Sequence, residues 1–180
     1  MRLDLPQAEA ETSTPPEGFQ PSQWKYILKL LGLVIVADKK TFQAEIDTFL
    51  RGVNELRAII DPSLWFTEKM ADDWFKRNKP ALEAIIDERS HDTAICEIVA
   101  PMLTMPHKLD VISCMVKIAV SDGDYCDVEK SVIAKTCLYW NVRSKFQDNL
   151  ETLFQQDNEP QLVDYLKGHR KYDAVGKTYK

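Results

Sequence analysis

Two stretches of this chain carry the same arrangement of acids. Residues 31–45 read LGLVIVADKKTFQAE and residues 115–129 read MVKIAVSDGDYCDVE, at a constant offset of 84 residues. In each, an apolar run ends in Val, a small residue (Ala37 or Ser121) and then Asp. A Glu follows seven residues after the Asp, which pairs Asp38 with Glu45 and Asp122 with Glu129. If helices flank both breaks, the Asp ends one helix and the Glu lies in the first turn of the next, so a tight antiparallel hairpin brings both carboxylates to one corner. Two such hairpins packed about a pseudo-twofold axis can gather four carboxylates. Together with Asp124 they form an all-oxygen donor set suited to Ca²⁺, Mg²⁺ or Mn²⁺. Zn²⁺ would want His or Cys, and Cys126 is the one such residue in the loop. The stretch is no EF-hand: counting from Asp122, Asp127 stands where the loop needs Gly, and Ile133 where it needs a bidentate Glu.

The same acids also serve helix ends. Asp122 before Gly123 suits a helix exit, Asp127 suits an N-cap, and Glu129 near an N-terminus complements the macrodipole. Lys39 and Lys40 place two cations beside the first corner, which favours the second hairpin as the better cation site. Other chemistry is not written in the chain, which has no GxGxxG, GxxxxGK[ST], HExxH or GxSxG. His91, His107 and His169 are scattered beside expected helix boundaries and read as caps or surface residues. A metal-dependent hydrolase would need at least three converging ligands and a cleft.

The elements that must position these acids are helical, because apolar residues recur at i, i+3, i+4 and i+7 and almost nowhere alternate. Trp24, Ile27, Leu28, Leu31 and Ile35 form one stripe after the N-cap candidate Ser22. Phe42, Ile46, Phe49, Val53, Leu56 and Ile60 form a second after Thr41. Thr67 opens a segment through Met70, Trp74 and Phe75, and Pro80 is placed to begin a helix through Leu82, Ile85 and Ile86. Ile95, Ile98, Val99, Met102 and Leu103 follow, with Pro101 expected to bend this helix and Pro106 to end it. Leu109, Ile112, Met115, Val116 and Ala119, with Val111 and Ile118 on a second face, predict a helix enveloped by its neighbours. Asp127 caps the next, through Val128, Val132, Ile133, Cys137, Leu138 and Trp140. Phe146, Leu150, Leu153 and Phe154 continue beyond Ser144, and Pro160 starts a last helix through Leu162, Val163 and Leu166. The expected architecture is all-α, a duplicated helical-hairpin bundle of about eight helices with pseudo-twofold symmetry. Trp65, Phe66, Trp74 and Phe75 are expected in its core.

With 180 residues, 44% of them hydrophobic and 28% charged, one core is expected, and a collagenous or wholly disordered chain is excluded. The net charge of −5 argues against nucleic acid as the main partner. Residues 1–21, rich in Pro, are expected to be a flexible arm, and residues 156–180 a short helix and basic tail. The four cysteines form no CxxC pair and no secretory signal is expected at the start, so the thiols read as reduced and the chain as cytoplasmic. The apolar run at 30–37 is too short to span a membrane.

The acidic stretches VSDGDYCDVE at 120–129 and VADKKTFQAE at 36–45 resemble the TerB-like family, the all-helical domain of bacterial tellurite-resistance proteins and of membrane-anchored DnaJ-like co-chaperones. The resemblance extends over about residues 22–155 and departs from the family pattern at Lys39, where Gly is preferred. It implies a duplicated bundle with acidic clusters at the hairpins, proposed to bind a metal ion. It also implies a non-enzymatic cytoplasmic role, with a divalent cation or a protein partner, in a stress response such as tellurite resistance. A hydrolase or a plain adaptor protein would be the alternatives.

Overall fold

The computed structural model describes residues 23–87 and 91–142, with residues 148, 149 and 152 beyond them. The expected arm at 1–21, the cap at Ser22, most of the segment beyond Ser144, the helix at Pro160 and the basic tail lie outside the described residues. Among the described residues there are six α-helices and no strand: α1 (Trp24–Val36), α2 (Gln43–Ile60), α3 (Glu68–Asp87), α4 (His91–Val99), α5 (Lys108–Ala119) and α6 (Asp127–Tyr139). None is long and apolar enough to cross a membrane.

Two helices make the centre. Helix α5 is buried on nearly every side, as its two apolar faces require, with Leu109, Val111, Ile112, Met115, Val116, Ile118 and Ala119 all in the core. Helix α1 exceeds its single expected stripe, because Leu30, Leu33, Val34 and Val36 are buried as well. The cause is its position, since α2, α3, α4, α5 and α6 all pack against it. A helix surrounded in this way needs apolar residues all round. The approach of α2 to α5 is close: a Cβ added at Gly52 would stand 2.3 Å from Cys114 Sγ. Burial holds that thiol protonated, its pKa pushed up to about 12.

Three expectations are corrected. Pro80 does not open a helix; it sits inside the continuous α3. Its ring removes the bond to the Lys76 carbonyl, a defect of about 3 kcal/mol in an exposed helix interior. Phe75 before the proline and Leu82 after it are nevertheless both buried. They lie one heptad apart, so packing both on the core holds the helix in register through the defect. Asn78 Nδ2 donates to the Trp74 carbonyl at 2.8 Å and Arg77 Nε to the Asp73 carbonyl at 3.1 Å, adding side-chain bonds in the preceding turn.

The N-caps also shift by one residue, from Thr41 to Phe42 and from Asp127 to Cys126. The aromatic cluster is divided as well. Phe75 is in the core, Phe66 and Trp74 are partly buried against it, and Trp65 is 81% exposed. The loop between α2 and α3 turns Leu64 and Phe66 inward, with Phe66 stacked on Trp24 at 6.4 Å between ring centroids. The Phe66 N–H donates to the Leu64 carbonyl at 3.1 Å, closing a three-residue turn whose central residue, Trp65, faces out. Elsewhere, Thr67 Oγ1 accepts from the Met70 N–H at 3.2 Å and caps α3, and Pro101 converts the end of α4 into a 3₁₀ turn at Ala100–Met102.

Candidate functional site

The loops joining α1 to α2 and α5 to α6 repeat one another residue for residue. Each apolar helix ends beside an aspartate that folds back on its own chain: Asp38 Oδ1 accepts from the Lys40 N–H at 2.7 Å, and Asp122 Oδ1 from the Asp124 N–H at 2.9 Å. This is the Asx-turn geometry that short carboxylates favour. The residue inside each turn is left-handed, Lys39 with φ 65° and Gly123 with φ 84°. Glycine adopts that region freely, whereas a residue with a Cβ is strained by roughly 1–2 kcal/mol. Lys39→Gly is therefore expected to raise the unfolding free energy by about 0.5–1 kcal/mol, part of the relief being offset by the extra freedom of Gly in the unfolded chain. Urea denaturation measures it, and an unchanged or lower midpoint would contradict the strain.

Each loop then closes on a glutamate in the first turn of the following helix. Glu45 Oε2 accepts from the Phe42 N–H at 2.9 Å, and Glu129 Oε2 from the Cys126 N–H at 2.7 Å. In α6 the bond is reciprocated, the Glu129 N–H donating to Cys126 Sγ at 3.5 Å, which completes a capping box. In α2 the phenyl ring of Phe42 has no acceptor, so only the carboxylate half of the box forms. That is why the cap shifts: the glutamates satisfy the helix starts, and neither Thr41 nor Asp127 is needed for it.

Packing α1 and α2 against α5, and α1 against α6, puts the two loops within electrostatic reach of one another. Glu45 and Glu129 are each only 1% exposed. Burial raises the Glu45 pKa from an ordinary 4.5 to about 8, with the charges of Asp38, Asp122 and Glu129 adding to the rise and the Phe42 N–H opposing it. Burial likewise raises Glu129 to about 7, opposed by its bonds to Cys126 and reinforced by Asp122 and Asp38. Four of the five acids picked out by their spacing thus act on one another. Asp124 stands apart from them, exposed at the loop tip.

Among the described residues no Lys or Arg pairs with any of these four carboxylates. The ammonium of Lys39, expected to crowd the first corner, is taken by Asp87 at the end of α3. Glu45 Oε1 is buried without a hydrogen-bond partner. Such an atom costs about 1–3 kcal/mol when neutral and more when charged.

Four carboxylates, one of them with a buried oxygen that has no partner, fit a hard divalent cation in donor type. Their reach is less complete: among the described residues no three His, Cys, Asp or Glu side chains converge as a ready ligand set. The three converging ligands that a hydrolase needs are likewise not assembled there. His91 and His107 stand at the starts of α4 and α5, where His91 Nε2 lies 3.0 Å from Lys135 Nζ and His107 Nδ1 3.4 Å from Asp110. What the spacing did not reveal is the buried state of the two glutamates, since Glu at N3 of a helix usually stands in water. Comparison with known proteins gave no matching family model, no matching curated protein and no matching solved structure.

Proposed function

We propose that the chain is a TerB-like, non-enzymatic protein of the cytoplasm whose two acidic loops hold one divalent cation between them, in a stress response such as tellurite resistance. The hairpins α1–α2 and α5–α6 are related in this reading by an approximate twofold axis that places Asp38 opposite Asp122 and Glu45 opposite Glu129. The matched turns, left-handed residues and buried glutamates of the two loops support that relation. Glu45 Oε1 carries the cation assignment, as a buried carboxylate oxygen with no partner beside three further carboxylates.

A bound cation would stabilise the charged forms of Glu45 and Glu129, and Asp38 and Asp122 would be the further carboxylates to hold it. Carboxylate oxygens alone suit Ca²⁺, Mg²⁺ or Mn²⁺. Isothermal titration of each ion at pH 8 is expected to give saturable binding that weakens at least about tenfold when Glu45→Gln and Glu129→Gln are combined, since two of four charges are lost while shape is kept. Absence of binding heat and of any cation-dependent rise in melting temperature would overturn the assignment. Equal affinity in the double variant would do so as well.

A further inference from the structure

One lysine joins α4 to α6 away from the acidic loops. Lys135 of α6 reaches two consecutive residues of α4: its Nζ lies 3.0 Å from His91 Nε2 and forms an ion pair with Asp92 Oδ1. One turn further along α6, the Tyr139 hydroxyl donates to the Asp92 carbonyl at 3.4 Å. An ammonium has hydrogens to donate and no lone pair, so His91 Nε2 is the acceptor. The ring proton is therefore on Nδ1, and the imidazole is neutral while this contact stands. The Lys135 side chain is 27% exposed and that of Asp92 52%, so the ammonium is the more enclosed partner.

We propose that His91, Asp92 and Lys135 form a proton-sensitive latch between α4 and α6, closed while the His91 imidazole is neutral and released when it takes up a proton. The incoming proton bonds to the Nε2 lone pair that receives the Lys135 hydrogen, so the hydrogen bond is lost and two cations face one another at 3.0 Å. His91 is also the first residue of α4, where the helix dipole disfavours positive charge. Asp92 then offers one carboxylate to two cations and holds one of them. The other charged groups of α6 near its start, Asp127, Glu129 and Lys130, lie in its first four residues. Of the remaining elements packed on α4, α1 presents Tyr26 and Lys29, which line a groove with Glu97 further along α4. Helix α3 ends in Asp87, which is taken by Lys39, and the turn at Ala100–Met102 has no titratable side chain.

The test is amide hydrogen exchange of the full chain and of His91→Gln at about pH 7.5 and about pH 5.5, values that span the range in which histidine changes charge. Glutamine offers Lys135 a carbonyl oxygen and cannot take a proton there, so it keeps the latch closed at both values. Protection of the α4 and α6 amides is expected to match in the two chains at the higher pH and to be about three- to tenfold lower in the parent at the lower. Glu45 and Glu129 are the same in both chains, so their own titration cancels from the comparison. In a Lys135→Met background, His91→Gln should change nothing at either pH. Nitrogen-15 spectra of the parent at the higher pH should place the His91 ring proton on Nδ1. Equal protection of parent and His91→Gln at both pH values would overturn the latch. So would an effect of His91→Gln at the lower pH that persists with Lys135→Met, or a ring proton found on Nε2. Should Lys135→Met not fold, the ring-nitrogen spectra and the His91→Gln comparison decide without it.

Discussion

In a chelator at pH 8, the Glu45→Gln and Glu129→Gln double variant is expected to be more stable than the parent chain by on the order of 3 kcal/mol, and at pH 5 the difference should nearly vanish. The sign follows from the direction of both shifts. Each glutamate is harder to ionise when folded, at about 8 for Glu45 and about 7 for Glu129 against 4.5 ordinarily. Between pH 4.5 and 8 the folded chain therefore binds more protons than the unfolded one, so stability falls as pH rises through that window. It is fully present below pH 4.5 and lost above the folded values. Glutamine keeps an amide oxygen for the N–H of Phe42 or Cys126 and cannot ionise, so it preserves the cap and removes the pH dependence. Urea denaturation of both chains across pH 5 to 8 measures the effect. A parent whose stability is flat over that range would show that neither buried carboxylate is costly to charge. A divalent cation that binds at pH 8 should restore part of the lost stability, in proportion to its concentration over its dissociation constant.

Phe49→Ala is expected to cost about 3–5 kcal/mol, the largest loss from a single side chain. Phe49 is fully buried, projecting from α2 and meeting Phe75 of α3 at 5.8 Å between centroids with the rings tilted. Removing the ring deletes its transfer free energy, leaves a cavity and breaks an aromatic pair worth a further ~1 kcal/mol. Because α2 also carries Glu45, the cavity tests how strongly the core supports the acidic corner. Chemical denaturation gives the stability. The pH dependence of that stability should persist in the variant, since the two carboxylates are unchanged. A cost below about 1 kcal/mol would mean that the α2–α3 interface relaxes freely and does not hold the corner rigid.

The helices that carry the site were legible because their signal is local. The 3.6-residue spacing in α2, the two-faced pattern of α5 and Pro101 within the Ala100–Met102 turn each bias the nearby backbone directly, and the structure agrees. The repeated acids were legible for the same reason, since one turn chemistry written twice produces two equivalent Asx turns and two glutamate-closed helix starts. Lys39 shows the strength of that local pattern: it adopts the left-handed turn despite its Cβ.

Where local preference competed with burial, the sequence pointed the wrong way. Pro80 has the form of a helix start, yet the joint burial of Phe75 and Leu82 outweighs its missing bond. Trp65 has the form of a core residue, yet the loop spends its inward positions on Leu64 and Phe66. The chemistry of the acids lay furthest from view. Spacing brought Asp38 near Glu45 and Asp122 near Glu129, but a carboxylate's charge state depends on the water around it, and only the meeting of α1, α2, α5 and α6 removes that water. Tertiary packing also sent Lys39 to Asp87 and left Glu45 Oε1 without a partner. The residue types and their period were determined by the chain alone. Which oxygens are dry, which are unpaired and which charges face one another was decided when distant helices closed on one another, because desolvation and Coulomb energy depend on distance in space and not along the chain.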